Sequence, residues 1–140
     1  MTTAIDTNVI VALWDRDTRL NSAAQSALDA ALGRGGLIIA APVSAELTAC
    51  PGRDQAFLDM FFQDAGIAID WKLDEPTRRT AGRAFQAYAA RRRRQGEPRP
   101  RRILADFVIG AHAMQKGYPL LTLDDRLYQA AFPGLEIVRI

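Results

Sequence analysis

Cysteine and histidine are nearly missing from these 140 residues: each occurs once, as Cys50 and His112. A lone cysteine excludes an internal disulfide and any thiolate-built zinc site, and a lone histidine excludes a His-rich metal centre. Long hydrophobic runs are also absent, and none approaches the roughly 20 residues needed to span a bilayer. The N-terminus has no basic region before its apolar stretch and carries Asp6 inside it. No secretory leader is expected there, and the cytoplasm is the expected compartment. What remains is 49% hydrophobic residues, enough for one globular domain over 1–140 with a single core.

The net charge of +2 hides an uneven distribution. Arg91, Arg92, Arg93, Arg94, Arg99, Arg101 and Arg102 fall within twelve positions against one acid, Glu97. That segment carries +6, so the rest of the chain carries −4. Such a run has two readings: a solvated helix end and loop, or a contact surface for an anionic partner, nucleic acid above all.

Thr2 to Ile5 is short and partly β-branched, as in a first strand. Asp6 follows as a candidate N-cap for a helix through Trp14. A second helix is expected from Asn21 or Ser22 as cap, stopped by Gly33, Gly35 and Gly36. Strands are expected at Leu37 to Ala41, Ile67 to Trp71, Leu120 to Leu123 and Glu136 to Ile140. The spacing between them predicts helices over 43–50, 53–65, 77–95, 103–116 and 127–132, with Ala56, Phe57, Met60 and Phe61 on the apolar face of the second of these. Strands alternating with helices imply right-handed crossovers and a three-layer α/β/α sandwich around a mostly parallel sheet of about five strands.

Acids recur at the strands' carboxyl ends, where open α/β sheets place ligand sites. Asp6 follows the first strand, Glu46 the second, and Asp124 and Asp125 the fourth. Asp106 and Glu46 both sit on apolar helical faces, where an isolated charge is costly. One reading makes Asp6 and Asp124 or Asp125 helix caps and pairs Glu46 and Asp106 with arginines. The other pools the acids. Carboxylates about 5 Å apart repel by roughly 3 kcal/mol per pair at an effective dielectric of ~20, so a pool needs cations, and all-oxygen ligands select Mg²⁺ or Mn²⁺.

Four segments carry a family resemblance: Ile5-Asp6-Thr7-Asn8-Val9, Val43-Ser44-Ala45-Glu46-Leu47, Ile103 to Ala113, and Leu121-Thr122-Leu123-Asp124. In order and over the whole chain they resemble the acidic motifs of PIN-domain ribonucleases, and more narrowly those of VapC toxins from bacterial toxin–antitoxin pairs. The resemblance implies that Asp6, Glu46, Asp106 and Asp124 are metal-binding and catalytic acids for Mg²⁺ or Mn²⁺, oriented by Asn8 and Thr122. The family pattern selects Asp124 over Asp125, leaving Asp125 as a supporting residue or a helix cap. It further implies an RNA substrate, a VapB-like antitoxin, a homodimer, and a hetero-oligomer with the antitoxin. Arg91, Arg92, Arg93, Arg94, Arg101 and Arg102 become candidate RNA contacts.

Other nucleophile-after-strand enzymes fit less well. Haloacid-dehalogenase-like phosphatases need a second Asp where Asn8 stands, and receiver domains need paired acids and a later lysine. A non-catalytic nucleic-acid- or partner-binding domain of the same fold is the remaining alternative. His112 reads as a packed histidine and Cys50 as a small buried hydrophobe, while Trp14, Phe57, Phe61, Phe62 and Phe107 read as core or interface.

Overall fold

The computed structural model describes residues 1–16, 19–97 and 102–140. Five strands run parallel in the order β3-β2-β1-β4-β5: β1 (Thr3–Ile5), β2 (Leu37–Ala40), β3 (Ile67–Asp70), β4 (Leu120–Thr122) and β5 (Ile137–Arg139). Between them lie α1 (Thr7–Trp14), α2 (Arg19–Arg34), α3 (Ala41–Leu47), α4 (Gln55–Ala65), α5 (Glu75–Arg94), α6 (Leu104–Lys116) and α7 (Asp125–Ala131). The chain builds outward from β1 to β2 and β3, then returns to add β4 and β5 on its other side. The strand order therefore reverses between β1 and β4, and the crevice beyond their carboxyl ends is where such sheets bind ligands.

Each turn into a helix has a local cause. Asp54 and Asp74 accept from the backbone amides of Phe57 and Thr77, capping α4 and α5. Gly66 and Gly117 end α4 and α6 at φ of 70°, a left-handed conformation open to glycine. Two expectations change. Asn21 and Ser22 are not caps, because α2 already begins at Arg19. The Asn21 amide instead reaches back to the Leu13 carbonyl at 2.7 Å, satisfying the end of α1. Likewise the buried face of α4 is Leu58 and Phe62, which lie against the sheet beside β3, whereas Met60 is 66% exposed. Phe57 and Phe61 are half-buried, pack against the edge of the core and close on Trp14, with ring centroids 5.7 and 5.2 Å from the indole. Cys50 is half-buried rather than buried.

The core centres on β1, β2 and β4 and on α6, where every residue from Phe107 to Ala113 is buried. His112 is among them, its Nε2 3.0 Å from Asp70 Oδ2. Among the described residues no helix is long and apolar enough to cross a membrane.

Candidate active site

Asp6 holds the N-cap position of α1, yet its side chain does not cap the helix. Its carboxylate, in a residue 4% exposed, turns across the crevice and accepts the Thr122 hydroxyl at 2.7 Å. Thr122 Oγ1 in turn accepts the Asp124 backbone amide at 2.9 Å and the Asn8 side-chain amide at 3.5 Å. With two N–H donors on its oxygen, the threonine has one proton to give, and it points at Asp6. Asn8 closes the network by accepting the Leu123 amide at 3.2 Å. The polar residues expected to orient the acids thus stitch the end of β1 to the end of β4.

The other acids arrive from three helices. Glu46, on α3, accepts the Thr7 hydroxyl at 2.8 Å. Asp106 lies in the first turn of α6, half-buried. Asp124 caps α7 through the Leu127 amide at 3.4 Å and pairs with the Arg102 guanidinium at 2.8 Å. Asp125 is not that cap; it turns to Arg139 on β5 at 3.1 Å. Among the described residues neither Glu46 nor Asp106 forms an ion pair. Arg102 instead serves Asp124.

The electrostatics record how near the acids stand. Burial, then the charges of Asp6 and Glu46, push the Asp106 carboxyl up to about 6, with Arg102 opposing. Burial also raises Asp6, against the hydroxyl of Thr122. Tyr128, one turn into α7, is 1% exposed, and its hydroxyl lies toward the Asp6 carboxylate, which it helps to hold down. Burial and the charges of Asp6 and Asp106 hold that phenol protonated far above its ordinary range. Thr7 and Tyr128 escaped the sequence reading. The signal for Tyr128 was its spacing four residues after Asp124, which places both on one side of a helix.

A family model described as PIN domain matches residues 3–133. The chain belongs to the PIN-domain family. Solved structures of similar fold include VapBC-1 from nontypeable Haemophilus influenzae, at TM-score 0.68 and 17% identity, covering 99% of this chain and 98% of that one. VapBC2 from Rickettsia felis bound to a promoter DNA fragment follows at TM-score 0.65 and 16% identity, covering 99% and 98%. FitAcB from Neisseria gonorrhoeae has TM-score 0.63 and 19% identity, covering 99% and 97%. No curated protein matches the chain significantly.

In this PIN domain, no three of the described acid, histidine or cysteine side chains close tightly enough to enclose an ion as they stand. The donor set nonetheless suits a hard divalent cation. All four acids offer oxygen, among the described residues only Asp124 is ion-paired, and burial followed by the charges of Asp6 and Glu46 raises the Asp106 carboxyl to about 6. Of the arginines expected to meet RNA, Arg91, Arg92 and Arg102 line one groove, joined by Arg126 from α7. Arg93 and Arg94 are exposed and are not part of its lining, and Arg101 falls outside the described residues.

Proposed function

We propose that this PIN domain is a Mg²⁺- or Mn²⁺-dependent endoribonuclease and the toxin of a toxin–antitoxin pair. The observation that supports it best is the hydroxyl and amide network that ties Asp6 to Thr122, Asn8 and Asp124 where the sheet order reverses, with Glu46 and Asp106 near enough for their charges to be felt. A divalent cation bound there supplies a Lewis acid that activates water and neutralises charge on the scissile phosphate. Asp6, Glu46, Asp106 and Asp124 would hold it. Thr122 donates to the Asp6 carboxylate and Thr7 to that of Glu46, so each hydroxyl limits where its acid can point. No histidine, serine or cysteine nucleophile is needed, and the products carry a 5′-phosphate and a 3′-hydroxyl.

The reading extends to partners. The neighbouring structures were solved as VapBC or FitA–FitB assemblies. By analogy this chain pairs with a VapB-like antitoxin, forms a homodimer, and acts on RNA in the cytoplasm. Exposed Met60, with the half-buried Phe57 and Phe61 beside it, lines a shallow apolar hollow that offers a protein partner a surface.

The deciding experiment incubates purified protein with a mixed RNA pool and Mn²⁺, with and without chelator, beside D6N and D106N. Cleavage is expected only in the wild type with metal. Cleavage that survives chelation, or that persists in both variants, would remove the metal-site reading. Intact RNA under every condition would favour a binding domain that has kept the fold.

A further inference from the structure

Next to the candidate acids lies a concavity of opposite sign. A groove of about 550 Å³ runs between the C-terminal part of α5 and α7. Arg91, Arg92, Arg102 and Arg126 project into it over a floor that includes Tyr88 and Leu127, and no acid among the described residues lines it. Arg126 lies 24 residues beyond Arg102, on a different helix from Arg91 and Arg92, so this convergence is a product of the fold. It is not a by-product of the arginine run.

The four cations are not equally compensated. Arg102 is paired with Asp124, and Arg92 with Glu97 at 3.4 Å. Arg91 and Arg126 have no carboxylate within 4.0 Å among the described residues. Guanidinium groups of this kind match the oxygens of a phosphate, and a partly apolar floor accepts a ribose or a base. Arg102 belongs to both places: its guanidinium touches an acid of the candidate active site and lines the groove. A polyanion leaving the acids therefore enters the groove directly.

We propose that this groove carries the single-stranded RNA on one side of the scissile bond. Arg102 meets the phosphate nearest the acids, and Arg91 and Arg126 each hold one further along. The assignment rests on the ribonuclease reading for the identity of the strand. It also divides the arginine run by role: Arg91 lies in the path, whereas Arg93 and Arg94 stand outside it.

The test measures binding of a fluorescently labelled single-stranded oligoribonucleotide in chelator, across a salt series. It compares wild type with R91Q/R126Q and R93Q/R94Q, two variants of equal net charge. R91Q/R126Q should lose at least tenfold in affinity, and its log–log salt slope should become shallower by about 1.4 if two phosphate contacts are lost. R93Q/R94Q should change affinity less than twofold. Equal losses in the two pairs, or no loss in R91Q/R126Q, would overturn the groove. Single R126Q and R126K variants guard against misfolding of the double variant. Partial retention by the lysine is expected, and an R126Q protein that is folded and binds as wild type would count against the groove. Because no metal is present, failure of the ribonuclease reading shows separately. RNA held in the groove without Mn²⁺-dependent cleavage would refute the nuclease and leave the groove standing.

Discussion

Asp106 is the residue at which folding and the proposed function pull against each other. Its folded carboxyl sits at about 6, above the ordinary 3.8, because burial and the neighbouring acids disfavour its charge. A carboxyl raised on folding binds more protons in the native state between about pH 4 and 6. Its contribution to stability is therefore full at the acid end and lost as pH rises through about 6. The metal-free D106N protein should accordingly melt a few degrees above wild type at pH 7.5, with the difference vanishing near pH 4. Calorimetry in chelator measures this, and an unchanged or lower melting temperature at pH 7.5 would contradict the strain. Metal reverses the sign: Mn²⁺ should stabilise wild type at pH 7.5 and fail to stabilise D106N. Below about pH 6 the proton competes with the cation, so Mn²⁺ affinity should fall by up to tenfold per pH unit. Thr122 makes a second case at this scale. T122V keeps the shape but removes the hydroxyl that donates to Asp6 and accepts from Asp124 and Asn8. Stranding buried polar groups costs about 1–3 kcal/mol. Urea denaturation should register that loss, and T122S should recover much of it.

Among the elements, α7 depends on a single glycine in α6. A methyl group added at Gly110 would lie 2.3 Å from the Phe132 ring and 3.0 Å from that of Tyr128, both of which are buried. Neither ring has an open direction in which to retreat. Overpacking of this kind costs about 1–3 kcal/mol, and more where backbone must shift. G110A should destabilise the fold by at least that much in chemical denaturation, and it should also weaken RNA binding, since α7 bears Asp124 as its cap and Arg126 in its first turn. A fully stable G110A would mean that α7 moves freely on α6. The elements also mark the limits of what the chain alone discloses. The strands and most helix ends were legible because their signals are local: a capping Asp, a terminating Gly, a short apolar run. The face of α4 was not. Phe57 with Phe61 and Leu58 with Phe62 are both apolar pairs at helical spacing, and contact with the sheet beside β3 selects the second. Asp124 and Asp125 posed a similar choice for the cap of α7, which the fold gives to Asp124 through the Leu127 amide. At the site, Asp6, Asn8 and Thr122 could be foreseen from their motifs. Arg126 could not, since nothing near it in sequence announces that α7 will cross the end of α5.

For the molecule as a whole, the candidate acids and a basic groove meet at Arg102, which pairs with Asp124 and lines the groove. That position couples the two surfaces with opposite signs. While Arg102 is bonded to Asp124 at 2.8 Å, it occupies a carboxylate that the proposed cation also needs, and it holds the Asp106 carboxyl down against its acidic neighbours. Removing the guanidinium frees Asp124 for metal but takes one phosphate contact from the groove. The pair is partly exposed, with side chains 44% and 26% accessible, so its strength is about 1 kcal/mol or less. R102Q should therefore bind Mn²⁺ up to roughly fivefold more tightly in titration calorimetry at pH 8, where Asp106 is ionised in either protein. The same variant should bind single-stranded RNA more weakly in chelator, with a salt slope shallower by about 0.7. A variant that loses affinity for both ligands would show that Arg102 shapes the pocket instead of competing for it. One that gains metal and keeps RNA would detach Arg102 from the groove, leaving the path to Arg91 and Arg126 alone.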